Sequence, residues 1–147
     1  MMSNLLPRKL GEVLAFARVG LELLDRAGDS AAKAYGDQLA SDMRAQLEAQ
    51  IERIGALADA EKADKTTAKV RGMMEQYIGD EWDNPIELLE WSGFYLGAAG
   101  IHWALIAGLV ADEDNDMSAY AESQSQVFAQ WLAASFERIK LGESLKS

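Results

Sequence analysis

Apolar positions recur three and four residues apart through most of the chain, the spacing of one face of an α-helix. Leu10, Leu14, Ala17, Leu21 and Leu24 form a first stripe. It starts near Pro7, a residue tolerated in an opening helical turn, and "AGDS" breaks it. Asp29 or Ser30 is suited to cap a second helix, in which Tyr35, Leu39, Met43, Leu47, Ile51 and Ile54 keep the period up to about Ala58. A third, shorter helix is predicted from Asp64 to Ile78, with Val70, Met73, Met74, Tyr77 and Ile78 inward, and "GDEWDNP" ends it. Asn84, Pro85 and Glu87 together make a start signal for a fourth, since a cap, a first-turn proline and a third-position glutamate all satisfy orphan amides. After "DEDND" a fifth runs from Met117 to Ile139, carrying Tyr120, Val127, Phe128, Trp131, Leu132 and Phe136 over a wide apolar face.

The fourth helix departs from this amphipathic pattern. Its stretch "WSGFYLGAAGIHWALIAGLVA", Trp91 to Ala111, runs 21 residues without a formal charge. By length alone that segment is able to span a bilayer, and Gly93-x-x-x-Gly97 is a spacing that lets membrane helices approach closely. Both flanks are acidic, however, whereas Lys and Arg orient membrane segments, and four other amphipathic helices need a surface to bury against. A helix apolar all round suits the middle of a bundle. The expected fold is therefore all-α: a single domain, 1–147, forming an antiparallel, up-down bundle of four long helices and one short one. The helix of about 85–111 is expected at its centre. Gly93, Gly97, Gly100 and Gly108 are then expected to mark close approaches of neighbouring helices.

Composition sharpens this picture. With 147 residues, 49% of them hydrophobic, the chain is large enough for one real core. The absence of cysteine excludes disulfides and thiolate metal sites. Basic residues interrupt the apolar ones near the N-terminus, which does not read as a secretory signal, so a cytoplasmic protein is expected. The formal charge of −10 is unevenly placed: residues 72–137 hold 12 acidic groups and no Lys or Arg, leaving a net +2 on the remainder. Phosphate neutralisation needs clustered cations, so nucleic-acid binding is disfavoured. An acidic surface suits a basic partner or cations instead.

Candidate chemistry is sparse. The only histidine is His102, and Ala99 three residues before it leaves no Glu-x-x-His pair of the kind that builds di-metal sites in bundles. Glu87 with Glu90 and Glu113 with Asp116 are similar in spacing to the carboxylate pairs of all-α nucleotide pyrophosphohydrolases, which hold magnesium between helices. One continuous helix would, however, separate Glu90 from Glu113 by about 35 Å. Glu22 and Asp25 together with Glu87 and Glu90 form the variant that adjacent helices are able to bring together, a candidate Mg or Mn site. The loop "DEDNDMS" has the alternating acids of an EF-hand but not its glycine or its final glutamate, and reads as a solvated turn ahead of a helix N-terminus. Tyr95, His102 and Trp103 are placed either to frame an apolar ligand pocket or to fill the core.

The leading expectation is a non-enzymatic acidic bundle for protein–protein interaction or oligomeric assembly. It would be a homo-oligomer with a basic protein as candidate partner, and would engage no cofactor, nucleic acid or membrane. The alternatives are a carboxylate-dependent metal hydrolase of a phosphorylated small molecule and an apolar-ligand binding bundle.

Overall fold

The computed structural model describes residues 2–142, with side chains from Leu5 onward. Every regular element among them is helical: α1 (Met2–Ala27), α2 (Asp29–Tyr35), α3 (Asp37–Ile54), α4 (Ala60–Ile78), α5 (Pro85–Leu109) and α6 (Asn115–Lys140). Cross-helix pairings fix the directions. Arg18 meets Asp64, Arg71 meets Glu22 and Arg26 meets Glu75, so α1 and α4 run parallel. Arg44 meets Asp25 while Gly20 lies against Leu47, which makes α3 antiparallel to α1. Ser118 donates to the Ala107 carbonyl and Ser125 to that of Gly100, so α5 and α6 form an antiparallel hairpin. The result is an up-down helical bundle.

The predicted second helix is two elements. Gly36 sits at φ 85°, ψ 153°, a left-handed conformation open to glycine and strained for other residues, and there the chain turns from α2 into α3. The apolar period of Tyr35, Leu39 and Met43 runs straight across this break, which is why the spacing hides it. α4 begins earlier than the Asp64 start expected from sequence, because Asp59 caps it by accepting from the Lys62 amide at 2.9 Å. The Asn84 cap of α5 accepts from the Ile86 amide at 3.0 Å as expected. The amide of Asn84 itself donates to the Glu81 carbonyl, so Glu87 is not needed to close a reciprocal box. Asp114 caps α6 through the Met117 amide, which gives the acidic "DEDND" turn a structural role.

The most enclosed element is α1, where α5 was expected. From Leu10 to Gly20 every residue of α1 except Glu12 and Arg18 is buried, because α3, α4 and α5 cover three sides of it. Close approach depends on glycine. A Cβ at Gly11 would stand 2.9 Å from the Asp59 carbonyl oxygen, and one at Gly20 would press into the Tyr95 hydroxyl and lie 2.7 Å from Leu47 Cδ1. By contrast α5 buries only part of its circumference. Leu88, Trp91, Tyr95, Leu96, Ala99, Trp103 and Ile106 turn inward, while Phe94, Ile101 and Leu105 are 60%, 63% and 53% exposed. The central-helix expectation for 85–111 therefore fails on one face: an uncharged helix was equated with an enclosed one, and burial depends on neighbours as well as composition. The glycine expectation is corrected in the same way. Only Gly100 has a neighbour, with Phe128 Cβ 3.5 Å from its virtual Cβ, while Gly93, Gly97 and Gly108 face open space.

Two polar pairs lie inside the bundle. Gln50 of α3 donates to Gln124 of α6 at 2.7 Å, both side chains being buried. Removing one partner strands the other amide in a low-dielectric interior. Gln50→Leu is therefore expected to cost about 1–3 kcal/mol in urea denaturation, whereas Gln50→Leu with Gln124→Leu returns close to the parent value. A double variant as unstable as the single would contradict this account.

The second pair joins α2 to α5. The Tyr35 hydroxyl meets Ser92 Oγ, which in turn donates to the Leu88 carbonyl at 2.7 Å. Burial pushes the Tyr35 phenol up to about 12, the Ser92 bond opposing it weakly. A raised value in the folded state means the neutral phenol stabilises the fold fully below pH 10. That contribution is lost as pH rises from 10 through 12, at about 1.4 kcal/mol per unit. Tyr35→Phe should flatten the fall in stability over that window, and an unchanged slope would show that Tyr35 does not titrate with unfolding.

Candidate interaction surface

The sequence-predicted site residues fall into three places. Glu22 accepts from Arg71 Nε at 2.7 Å and also from Arg71 Nη2, and this bidentate guanidinium holds its carboxyl below the usual range. Asp25 accepts from Arg44 Nη2 at 2.7 Å. Glu22 and Asp25 are thus both engaged by arginines. Glu87 and Glu90 open α5 close to Glu81 and Tyr77. Partial desolvation, and then the like charges of Glu81 and Glu90, push the Glu87 carboxyl up. Burial, followed by Glu90 and Glu87, raises the Tyr77 phenol as well. Among the described residues no three His, Asp or Glu side chains converge on a point where a metal ion would sit.

Tyr95 and Trp103 are core residues. The Tyr95 hydroxyl donates to the Phe16 carbonyl of α1 at 2.6 Å, and its ring packs on Phe16 and Phe128. Burial raises that phenol far above its ordinary value, so it remains a donor at any ordinary pH. Trp103 stands edge-on to Tyr120 at 5.6 Å. His102 is half-buried: its Nδ1 is 2.7 Å from the Ala98 carbonyl, one turn back, and its ring rests 5.0 Å from Phe16. The ring thus lies between the α5 backbone and Phe16 of α1.

What the sequence reading did not anticipate is the open side of α5. Phe94, Gly97, Ile101, Ala104, Leu105 and Gly108 follow one another along a face that is uncharged from Glu90 to Asp112. Met73 and Tyr77 extend it onto α4, where they edge a groove of about 420 Å³ with Trp91 and Phe94. A second groove of about 250 Å³ separates α5 from α6, floored by Gly97, Gly100 and Phe128 and bordered by Ile101 and Leu132. Both grooves are mostly apolar. Acidic groups stand at the two ends of this strip, Asp80, Glu81, Asp83, Glu87 and Glu90 before α5 or at its start, and Asp112, Glu113, Asp114 and Asp116 after it. Met73 and Tyr77, expected inward on the α4 stripe, lie outward instead and form part of this surface, because no neighbouring helix covers that side of α4.

α5 is also long and apolar enough to cross a membrane, and a third of its most apolar window is buried within the bundle. No protein-family model, curated protein or solved structure matches the chain.

Proposed function

We propose that this chain is a non-catalytic interaction module whose working surface is the open face of α5 with the adjoining rows of α4 and α6. The supporting observation is the combination of Phe94, Ile101 and Leu105, each more than half exposed, on a charge-free strip between two acidic ends. Monomeric soluble proteins seldom leave so continuous an apolar strip uncovered, because covering it releases about 25 cal/mol for each Å² removed from water. A carboxylate-metal enzyme gains less support, since Glu22 and Asp25 are already paired with arginines. An apolar-ligand carrier gains less as well, since Tyr95 and Trp103 are packed rather than lining free space.

The acidic ends favour cationic partners over anionic ones, so an anionic bilayer is a poor match for the strip and an amphipathic helix with Lys at both ends is a good one. The test uses dilute protein, a synthetic Leu/Lys amphipathic helix, and the variants Ile101→Asp and Phe94→Asp. Association, either with itself or with the peptide, is expected for the parent chain and abolished in both variants, at unchanged melting temperature. A parent chain that neither self-associates nor binds the peptide at low or high salt would overturn the reading.

A further inference from the structure

Resting on that reading, we infer that the groove between α4 and α5 is a cation-binding site that takes one arginine side chain of the partner helix at the N-terminal end of α5. Three rings meet there. Tyr77 stands edge-on to Phe94 at 5.4 Å, and Trp91 lies 6.1 Å from Tyr77 and 6.4 Å from Phe94. Tyr77 and Phe94 are exposed while Trp91 is buried, and Met73 and Gln76 complete the lining.

Two carboxylates accompany the rings. Glu90 precedes Phe94 by four residues and Glu87 precedes Trp91 by four, spacings that set each acid one turn from its ring on the same face of α5. Their charge reaches α4 as well, since Glu90 and Glu87 add to burial in raising the Tyr77 phenol. Residues 72–137 contain no Lys or Arg, and among the described residues no cation lies over Tyr77 or Phe94.

Elsewhere the chain fills such an arrangement with a guanidinium. Arg26 places its guanidinium carbon 3.9 Å from the centre of the Trp82 ring while bonding Glu75 at 2.8 Å, and that of Arg53 stands 4.9 Å over the Tyr120 ring. Tyr77 and Phe94 with Glu87 and Glu90 offer the same two kinds of surface, ring and carboxylate, without the cation.

Desolvation selects the occupant. A partner lying over Phe94 strips water from the neighbouring carboxylates, and a buried carboxylate without a counter-charge is costly. An apolar or anionic occupant leaves that cost standing. A lysine ammonium offsets it but is strongly hydrated, whereas a guanidinium is weakly hydrated, stacks on aromatic faces and bonds a carboxylate through two parallel N–H groups. The methylene stem of arginine suits the apolar lining of Met73 and Trp91. At the other end of the strip the acids have no such company: residues 104–119 contain no aromatic residue, and Asp114 is engaged in capping α6. The site is therefore single, and it gives a docked helix a direction.

Fluorescence anisotropy at about 50 mM salt tests this with three synthetic peptides: the all-Lys form of the Leu/Lys helix, and two forms in which arginine replaces lysine at the first or at the last cationic position only. Arginine at one end is expected to tighten binding roughly three- to tenfold, and at the other end to change it less than about twofold. Glu90→Gln and Tyr77→Leu should each remove that gain, with helicity unchanged, while still binding the all-Lys peptide. Equal gains at both ends, or a gain that persists in both variants, would place the guanidinium elsewhere and overturn the inference. Binding of the all-Lys peptide with no gain from arginine at either end also overturns it but leaves the interaction reading standing; if none of the three peptides binds, both fall.

Discussion

Gly20→Ala is expected to lower the free energy of unfolding by about 3 kcal/mol, although alanine is the better helix former by about 1 kcal/mol. In a helix the side chain of residue i+4 stands over the carbonyl of residue i, so the missing Cβ of Gly20 is what lets the Tyr95 hydroxyl reach the Phe16 carbonyl. An added methyl drives into that hydroxyl and into Leu47 Cδ1, and neither has room to retreat, since Tyr95 and Leu47 are both fully buried. Overpacking of this kind costs about 1–3 kcal/mol, and a buried hydroxyl stripped of its acceptor costs about 1–3 kcal/mol more. Urea denaturation checks this as a shift in midpoint at constant slope. Tyr95→Phe in the Gly20→Ala background removes the obstructing oxygen and should recover part of the loss. A Gly20→Ala variant as stable as the parent would show that α1 and α5 are not held at this distance.

Trp103→Ala should cost about 3–5 kcal/mol, the range for emptying a large, fully enclosed aromatic site. Trp103 is wholly buried on the inward face of α5, with Tyr120 of α6 edge-on to its ring. Its indole nitrogen meets no acceptor among the described residues. Trp103→Phe loses volume but removes that unsatisfied donor, so it should cost less than about 2 kcal/mol. Thermal or chemical unfolding separates the two, and equal losses would show that the indole nitrogen is better satisfied than the packing suggests.

The bundle was legible in the spacing of Leu10, Leu14, Ala17 and Leu24, all buried, and the start of α5 in Asn84 and Pro85. Periodicity reports which face of a helix is apolar but not how many neighbours will cover it. For that reason α1, which carries Arg18, Glu22 and Arg26, was under-read, while the uncharged α5 was assigned an enclosure it does not have. Gly36 was missed because its break preserves the apolar register, and Gly11 and Gly20 because tight helix contacts depend on partners distant in sequence. Of the candidate site, the acidic ends were visible as a charge run. The open strip between them was not, since Phe94, Ile101 and Leu105 look no different in sequence from the buried Leu96 and Ile106.

The way α6 is attached has its own consequence. Its main packing is on α5, with the Gln50–Gln124 bond, the Arg53 guanidinium 4.9 Å from the Tyr120 ring and the Arg138 bond to the Lys33 carbonyl as further ties. α1, touching four other helices, has no comparable free edge. Amide protons of α6 should therefore exchange with deuterium through a partial opening that leaves the rest of the bundle intact, while those of α1 wait for the whole molecule to come apart.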